Sequence, residues 1–253
     1  AKLVEVALYD YERAVKLPED FVHTFAAEQS KALPVWIEAR RTSDFALFQP
    51  NLETLVRLAR EKADYLGYED SPYDALLEEF ERGMTTAELE RIFGGLAPRQ
   101  SALVERIVAV GQPELPWMTG EWDEQAQWAF SLRVLNDMGY DFEAGRQDKS
   151  IHPFSIHFDT RDVRVTTRIH KDALFSCLMS SIHEGGHALY MQGHADADRR
   201  TPLCDGPSLG MHESQSRMWE NMIGRSLPFW RCYMPVMREL FPVSYTHLRA
   251  HET

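Results

Sequence analysis

SIHEGGHALYMQG, residues 181–193, sets two histidines four positions apart, with a glutamate beside the first and two glycines between them. On a helix, positions i and i+4 lie on one face, so His183 and His187 can reach a single ion. Glu184 falls about 100° round the axis, beside such an ion rather than on it, where a general base would hold a water. The glycines oppose this reading, because each costs a helix about 1 kcal/mol relative to alanine. The surroundings favour it. Leu174, Phe175, Leu178, Met179, Ile182, Ala188 and Leu189 make the segment apolar on most sides, and buried imidazoles beside a carboxylate are costly to satisfy without an ion. Gly185 and Gly186 are read as leaving the backbone bare, so that a neighbouring strand or a substrate can come close to the metal.

A catalytic zinc takes three protein ligands and keeps a fourth position open. No third histidine follows at the spacing of the extended zinc signature, so the third ligand must come from another element. MHESQSRMWE, residues 211–220, offers Glu213 at the start of a helix, with His212, Ser214 and Gln215 crowding polar groups around it. Glu220, further along, is the competitor. Glu213 and Arg217 also form an i, i+4 pair that could simply stabilise the helix.

Working outward, the texture is helical. Leu3, Val6, Ala7 and Tyr11 share a helical face. A second run opens after Pro18 and is expected to kink or break near Pro34. Asn51 is read as the cap of a third helix that Gly67 stops. Thr85 or Thr86 caps a later helix, and Gly139 closes another. Only the stretch after His152 changes period. In DVRVT, residues 162–166, Asp162, Arg164 and Thr166 project to one face, and Val163 and Val165 to the other. The expectation is a mainly α chain: one helical domain with a small β-strand pair near the metal helix. Residues 1–150 form its helical part and 151–242 its metal-site part. The last eleven residues, Val243 to Thr253, read as the translation of a sequencing adapter and are set aside. Their His247 and His251 are not ligand candidates. The start, without a Met, also looks cut.

Bulk properties exclude some partners. A net charge of −12 over 253 residues, without a basic stripe, argues against nucleic acid and anionic membrane surfaces. No apolar stretch reaches the ~20 residues that span a bilayer, and no signal peptide is visible. Three scattered cysteines suit a reducing compartment, so the expected location is cytoplasmic.

Taken together, HPF at 152–154, DVRVT at 162–166, HEGGH at 183–187 and HESQ at 212–215 resemble, in order and spacing, the motifs of the thermostable carboxypeptidase Taq family, M32. The resemblance extends from near the start to Pro242 and includes PYDALLEEFERGMTTAEL. It implies a mostly helical dumbbell with a long groove, and homodimers that release C-terminal amino acids from peptides using zinc, or cobalt in some members. The metal would sit on His183, His187 and Glu213, with Glu184 as the catalytic glutamate. The family also has a later motif with a carboxylate-reading arginine, a downstream tyrosine and further N-terminal helices. This sequence does not match those parts, and the resemblance therefore implies impaired turnover for a fragment truncated at both ends. Three other residues enter as substrate-binding candidates. Arg164 could bind a carboxylate or simply pair with Asp162. His152 could orient a ligand or be structural. His212 could donate to the reacting carbonyl or only start a helix. In zinc peptidases of this kind an extended substrate can pair with a sheet edge, a plausible job for DVRVT. The rival readings are a related zinc oligoendopeptidase or aminopeptidase, and an inactive helical binding protein.

Overall fold

The computed structural model describes residues 1–111 and 120–242. Val243–Thr253, set aside above, lies outside them. The chain divides into two compact units, Ala1–Arg106 and Ile107–Thr253.

The first unit is helical: α1 (Lys2–Ala14), α2 (Glu19–Thr42), α3 (Phe45–Leu66), α4 (Pro72–Leu77) and α5 (Thr86–Val110), the last running past the division. Side-chain caps set most of the starts. Asp44 accepts from the Ala46 amide at 3.0 Å, Ser71 caps α4 ahead of Pro72, and the Glu88 amide donates to Thr85 Oγ1 at 3.2 Å. Of the two alternatives at Pro34, the break does not occur, and α2 runs on as a single helix. One expectation is corrected: α3 begins at Phe45, so Asn51 lies inside it. One missing backbone hydrogen bond does not stop a helix whose neighbour covers it: α2 packs along α3 and buries Phe21, Ala32 and Ala39. Asp44 is the cap because its carboxylate reaches the free amides two turns earlier than Asn51 could. Gly67 ends α3, as the sequence suggests.

The second unit is organised around α7 (Leu174–Gln192). Against it pack α6 (Glu124–Met138), a sheet of β1 (Gln147–Lys149), β2 (Ser155–Asp159) and β3 (Asp162–Thr167), and α8 (Leu209–Arg217). α8 continues into a π turn, Met218–Gly224, and α9 (Leu227–Leu240) follows. One apolar cluster joins Phe130 and Val134 of α6 to Leu174, Leu178 and Ile182 of α7 and Phe229, Tyr233 and Met237 of α9. Another joins Val163 and Val165 of β3 to Leu135, Tyr140, Ala188 and Met191. Gly139, at φ 95°, closes α6 in the left-handed conformation.

The strand pair is a hairpin of β2 and β3, antiparallel with His157 opposite Val163, and a third strand extends it. β1 runs parallel to β3, giving the order β1-β3-β2. Its sequence, QDK, carries no alternation that would announce a strand. Along β3 the expected alternation holds from Asp162 to Val165. Thr166 departs from it and is buried, because Ser150 Oγ (2.8 Å) and the Phe154 amide (2.9 Å) close over its hydroxyl.

Candidate metal centre

The i, i+4 spacing brings His183 and His187 side by side on α7, ring centroids 5.0 Å apart. Glu213 reaches both from α8. Its Oε2 stands 3.5 Å from His183 Nε2 and 3.4 Å from His187 Nε2. Ser208 fixes the start of α8 by accepting from the Met211 amide at 3.1 Å, which places Glu213 in the second turn. Its other oxygen, Oε1, accepts from Arg217 Nε at 2.6 Å, so the i, i+4 ion pair and the approach to the histidines coexist on one carboxylate.

The glycines are explained by helix packing, which corrects the sequence reading. A Cβ on Gly186 would stand 2.7 Å from Ser216 Cα and 3.0 Å from the Gln215 carbonyl oxygen, both in α8. A Cβ on Gly185 would stand 2.4 Å from Leu135 Cδ2 of α6. The bare backbone lets two helices approach α7, and the atoms nearest each glycine belong to α6 and α8. For Gly186 the close approach is what carries Glu213 to the histidines.

Glu184 is 7% exposed. Burial pushes its carboxyl above the usual carboxylate range and the Glu213 charge adds to this, while His183, a hydrogen bond with Ser155 and the charge of His152 oppose it. A carboxyl raised toward neutrality suits a group that must take up and return a proton. Burial, with the adjacent His212 and His183, pushes His187 down to about 4, so at neutral pH its ring is uncharged and offers a lone pair. Burial raises Glu213, yet Arg217 and His183 outweigh it and hold the group ionised.

Each histidine has a partner on its other nitrogen. His183 Nδ1 lies 2.9 Å from Glu220 Oε2, and Glu220 Oε1 accepts from Arg225 Nη2 at 2.6 Å. His187 Nδ1 lies 2.8 Å from His212 Nδ1, whose Nε2 faces Met191 Sδ at 3.2 Å. Glu220 therefore touches the outer face of His183, while Glu213 faces the nitrogens that converge. The sequence offered Glu220 as the rival ligand to Glu213, and the structure sets it on the other nitrogen of His183. Arg225 gave no signal, because the π turn between them breaks the helical count.

The remaining predicted residues are further out. Arg164 makes a bidentate pair with Asp162, both contacts 2.7 Å, and lies over the Phe158 ring. His152 is exposed, with Nδ1 2.6 Å from the Pro153 carbonyl oxygen. DVRVT lies in the central strand, with β2 along Asp162–Val165 on one side and β1 along Val165–Thr167 on the other. Among the described residues, the strand beside Glu184 with an unpaired side is β2.

Among the described residues, His183, His187 and Glu213 form a group whose donor atoms all lie within 4.8 Å of one another. Donors ~2.0–2.2 Å from a tetrahedral ion stand about 3.4 Å apart. The two histidine–glutamate separations, 3.5 and 3.4 Å, match that geometry. Two imidazoles and one carboxylate suit a catalytic divalent ion.

The sequence profile of the Carboxypeptidase Taq (M32) metallopeptidase family matches residues 1–252. The chain belongs to this family. It is 40% identical over 245 residues to carboxypeptidase 1 of Bacillus subtilis, covering 96% of this chain and 49% of that protein. To thermostable carboxypeptidase 1 of Thermus thermophilus it is 41% identical, covering 91% of this chain and 47% of the relative. The M32 chain thus spans about half the length of the curated relatives it matches. The M32 carboxypeptidase of Deinococcus radiodurans superposes with a TM-score of 0.89 at 38% identity, over 98% of this chain and 50% of that one. Metallocarboxypeptidase 1 of Trypanosoma cruzi does so at 0.79 and 34% identity, over 95% and 50%. Among the described residues no helix is long and apolar enough to cross a membrane.

Proposed function

We propose that the protein is a zinc-dependent metallocarboxypeptidase that removes single amino acids from the C-termini of peptides. The observation that carries the proposal is the convergence of His183, His187 and Glu213, with Glu184 buried beside them. In this reading the three hold the metal. A divalent ion bound there polarises a carbonyl oxygen and makes a neighbouring water more acidic. Glu184 takes the proton of the attacking water and returns it to the departing amine, for which its raised, buried carboxyl is suited. Arg217 keeps Glu213 anionic and aimed. An extended peptide pairs with the unpaired side of β2, next to Ser155 and Glu184. His212 acts through His187, and Arg164 and His152 line the approach from the sheet.

Zinc is favoured by the donor set, and cobalt is compatible with it. Cys177, Cys204 and Cys232 are all unpaired, which supports a cytoplasmic setting. The homodimer implied by the family resemblance belongs to the same reading, and light scattering tests it.

The test is digestion of a defined peptide followed by mass spectrometry. The expected products are peptides shortened one residue at a time from the C-terminus, formed at the impaired rate that the family resemblance implies for this chain. Glu184→Gln should lower turnover by about 10²–10⁴-fold with metal content unchanged. Internal cuts or loss from the N-terminus would replace this reading with an oligoendopeptidase or an aminopeptidase.

A further inference from the structure

We propose that Glu220 is a positioning residue for the metal centre: its carboxylate holds His183 in the tautomer that keeps Nε2 free to bind the ion. The inference rests on the reading of His183 as a ligand. The His183 ring lies between two carboxylates, with Nδ1 2.9 Å from Glu220 Oε2 and Nε2 3.5 Å from Glu213 Oε2. A carboxylate can only accept, so the nitrogen it meets carries the proton, and in a neutral ring the other nitrogen keeps its lone pair. Glu220 is itself anchored. Arg225 Nη2 lies 2.6 Å from its Oε1, Arg217 Nη1 lies 3.7 Å from its Oε2, and its side chain is only 12% exposed.

The backbone explains why a glutamate seven residues beyond Glu213 arrives there. α8 widens at Met218–Gly224 into a π turn, a feature that recurs at functional sites. The turn closes against α7 beside the histidine. A Cβ on Gly224 would stand 3.2 Å from Ile182 Cδ1, in the residue before His183. The two histidines are thereby served differently. His187 is backed by another imidazole and His183 by an anion, which makes His183 the more strongly donating nitrogen.

A purely structural role for Glu220, closing the turn through Arg225, would leave the His183 tautomer and the metal affinity untouched. Two measurements on the 253-residue chain separate the cases. The first is the zinc dissociation constant by competition with a chelator. Glu220→Ala should weaken binding about 10–100-fold. Glu220→Gln, whose amide oxygen still accepts from Nδ1–H, should recover most of that loss. The second is the ¹⁵N spectrum of the His183 ring in the metal-free protein. The parent and Glu220→Gln should carry the proton on Nδ1, and Glu220→Ala should lose that preference. Zinc affinity in Glu220→Ala within about two-fold of the parent, or a His183 proton on Nε2 in the parent, would overturn the proposal. The tautomer measurement needs no variant to fold. If the parent binds no zinc at all, the proposed function fails, while the ring spectrum still decides the role of Glu220.

Discussion

Gly186 and Gly185 look alike in the sequence and differ in what surrounds them. Beside Gly186 stands the backbone of α8, with Ser216 Cα 2.7 Å from where a Cβ would be. A helix axis cannot shift without carrying Glu213 away from the histidines. Beside Gly185 stands the end of a side chain, Leu135 Cδ2 at 2.4 Å, which can rotate. Gly186→Ala should therefore cost about 1–3 kcal/mol by overpacking and weaken metal binding as well. Gly185→Ala should cost less and leave metal affinity near the parent's, because the gain in helix propensity offsets part of the crowding. Thermal unfolding and zinc titration of the pair check this, and equal behaviour of the two variants would contradict it. At this scale the histidine pair is legible from spacing alone, since i, i+4 geometry is fixed by the helix, whereas Glu213 comes from another element, where Glu220 competed with it. The reason for the glycines is not legible, because it lies in α6 and α8, distant in sequence.

Among the elements, long helices with clear stops were readable: Gly67 and Gly139 end α3 and α6 as their lack of a side chain allows. Two kinds of feature were not. Tertiary packing overrides local signals, as at Pro34 within α2, and short polar strands carry no pattern. β1 is held by register with β3 and by a buried contact, Gln147 Nε2 to Ser131 Oγ at 2.8 Å. The π turn is likewise silent, because nothing in MWENMIG announces a wider helix. The sheet also predicts a pH response. Tyr140 donates its hydroxyl hydrogen to the Val163 carbonyl of β3, and burial pushes its ionisation up to about 12. An unfolded tyrosine ionises near 10. A group raised in the folded state contributes stability that is fully present below the unfolded value and is lost as pH rises through the folded one. Stability should fall between about pH 10 and 12, and Tyr140→Phe should flatten part of that fall. Tyr233, also raised to about 12, and Tyr9, raised first by burial, contribute to the rest. Alkaline unfolding curves that coincide for parent and variant would argue against this.

For the whole molecule, the metal is a source of stability as well as of chemistry. A ligand that binds only the folded state adds about 2.7 kcal/mol at a hundred times its dissociation constant. The transition that unfolds the second unit should then rise by roughly 5–10 °C with saturating zinc and return on chelation. His183, His187 and Glu213 all lie within that unit. The measurement that tests the central claim most directly is zinc per chain, by elemental analysis of protein purified under mild conditions, with His183→Ala beside it. About one zinc in the parent and none in the variant is the predicted result. A parent without zinc, or a variant that keeps it, would contradict the assignment of this constellation as the metal centre.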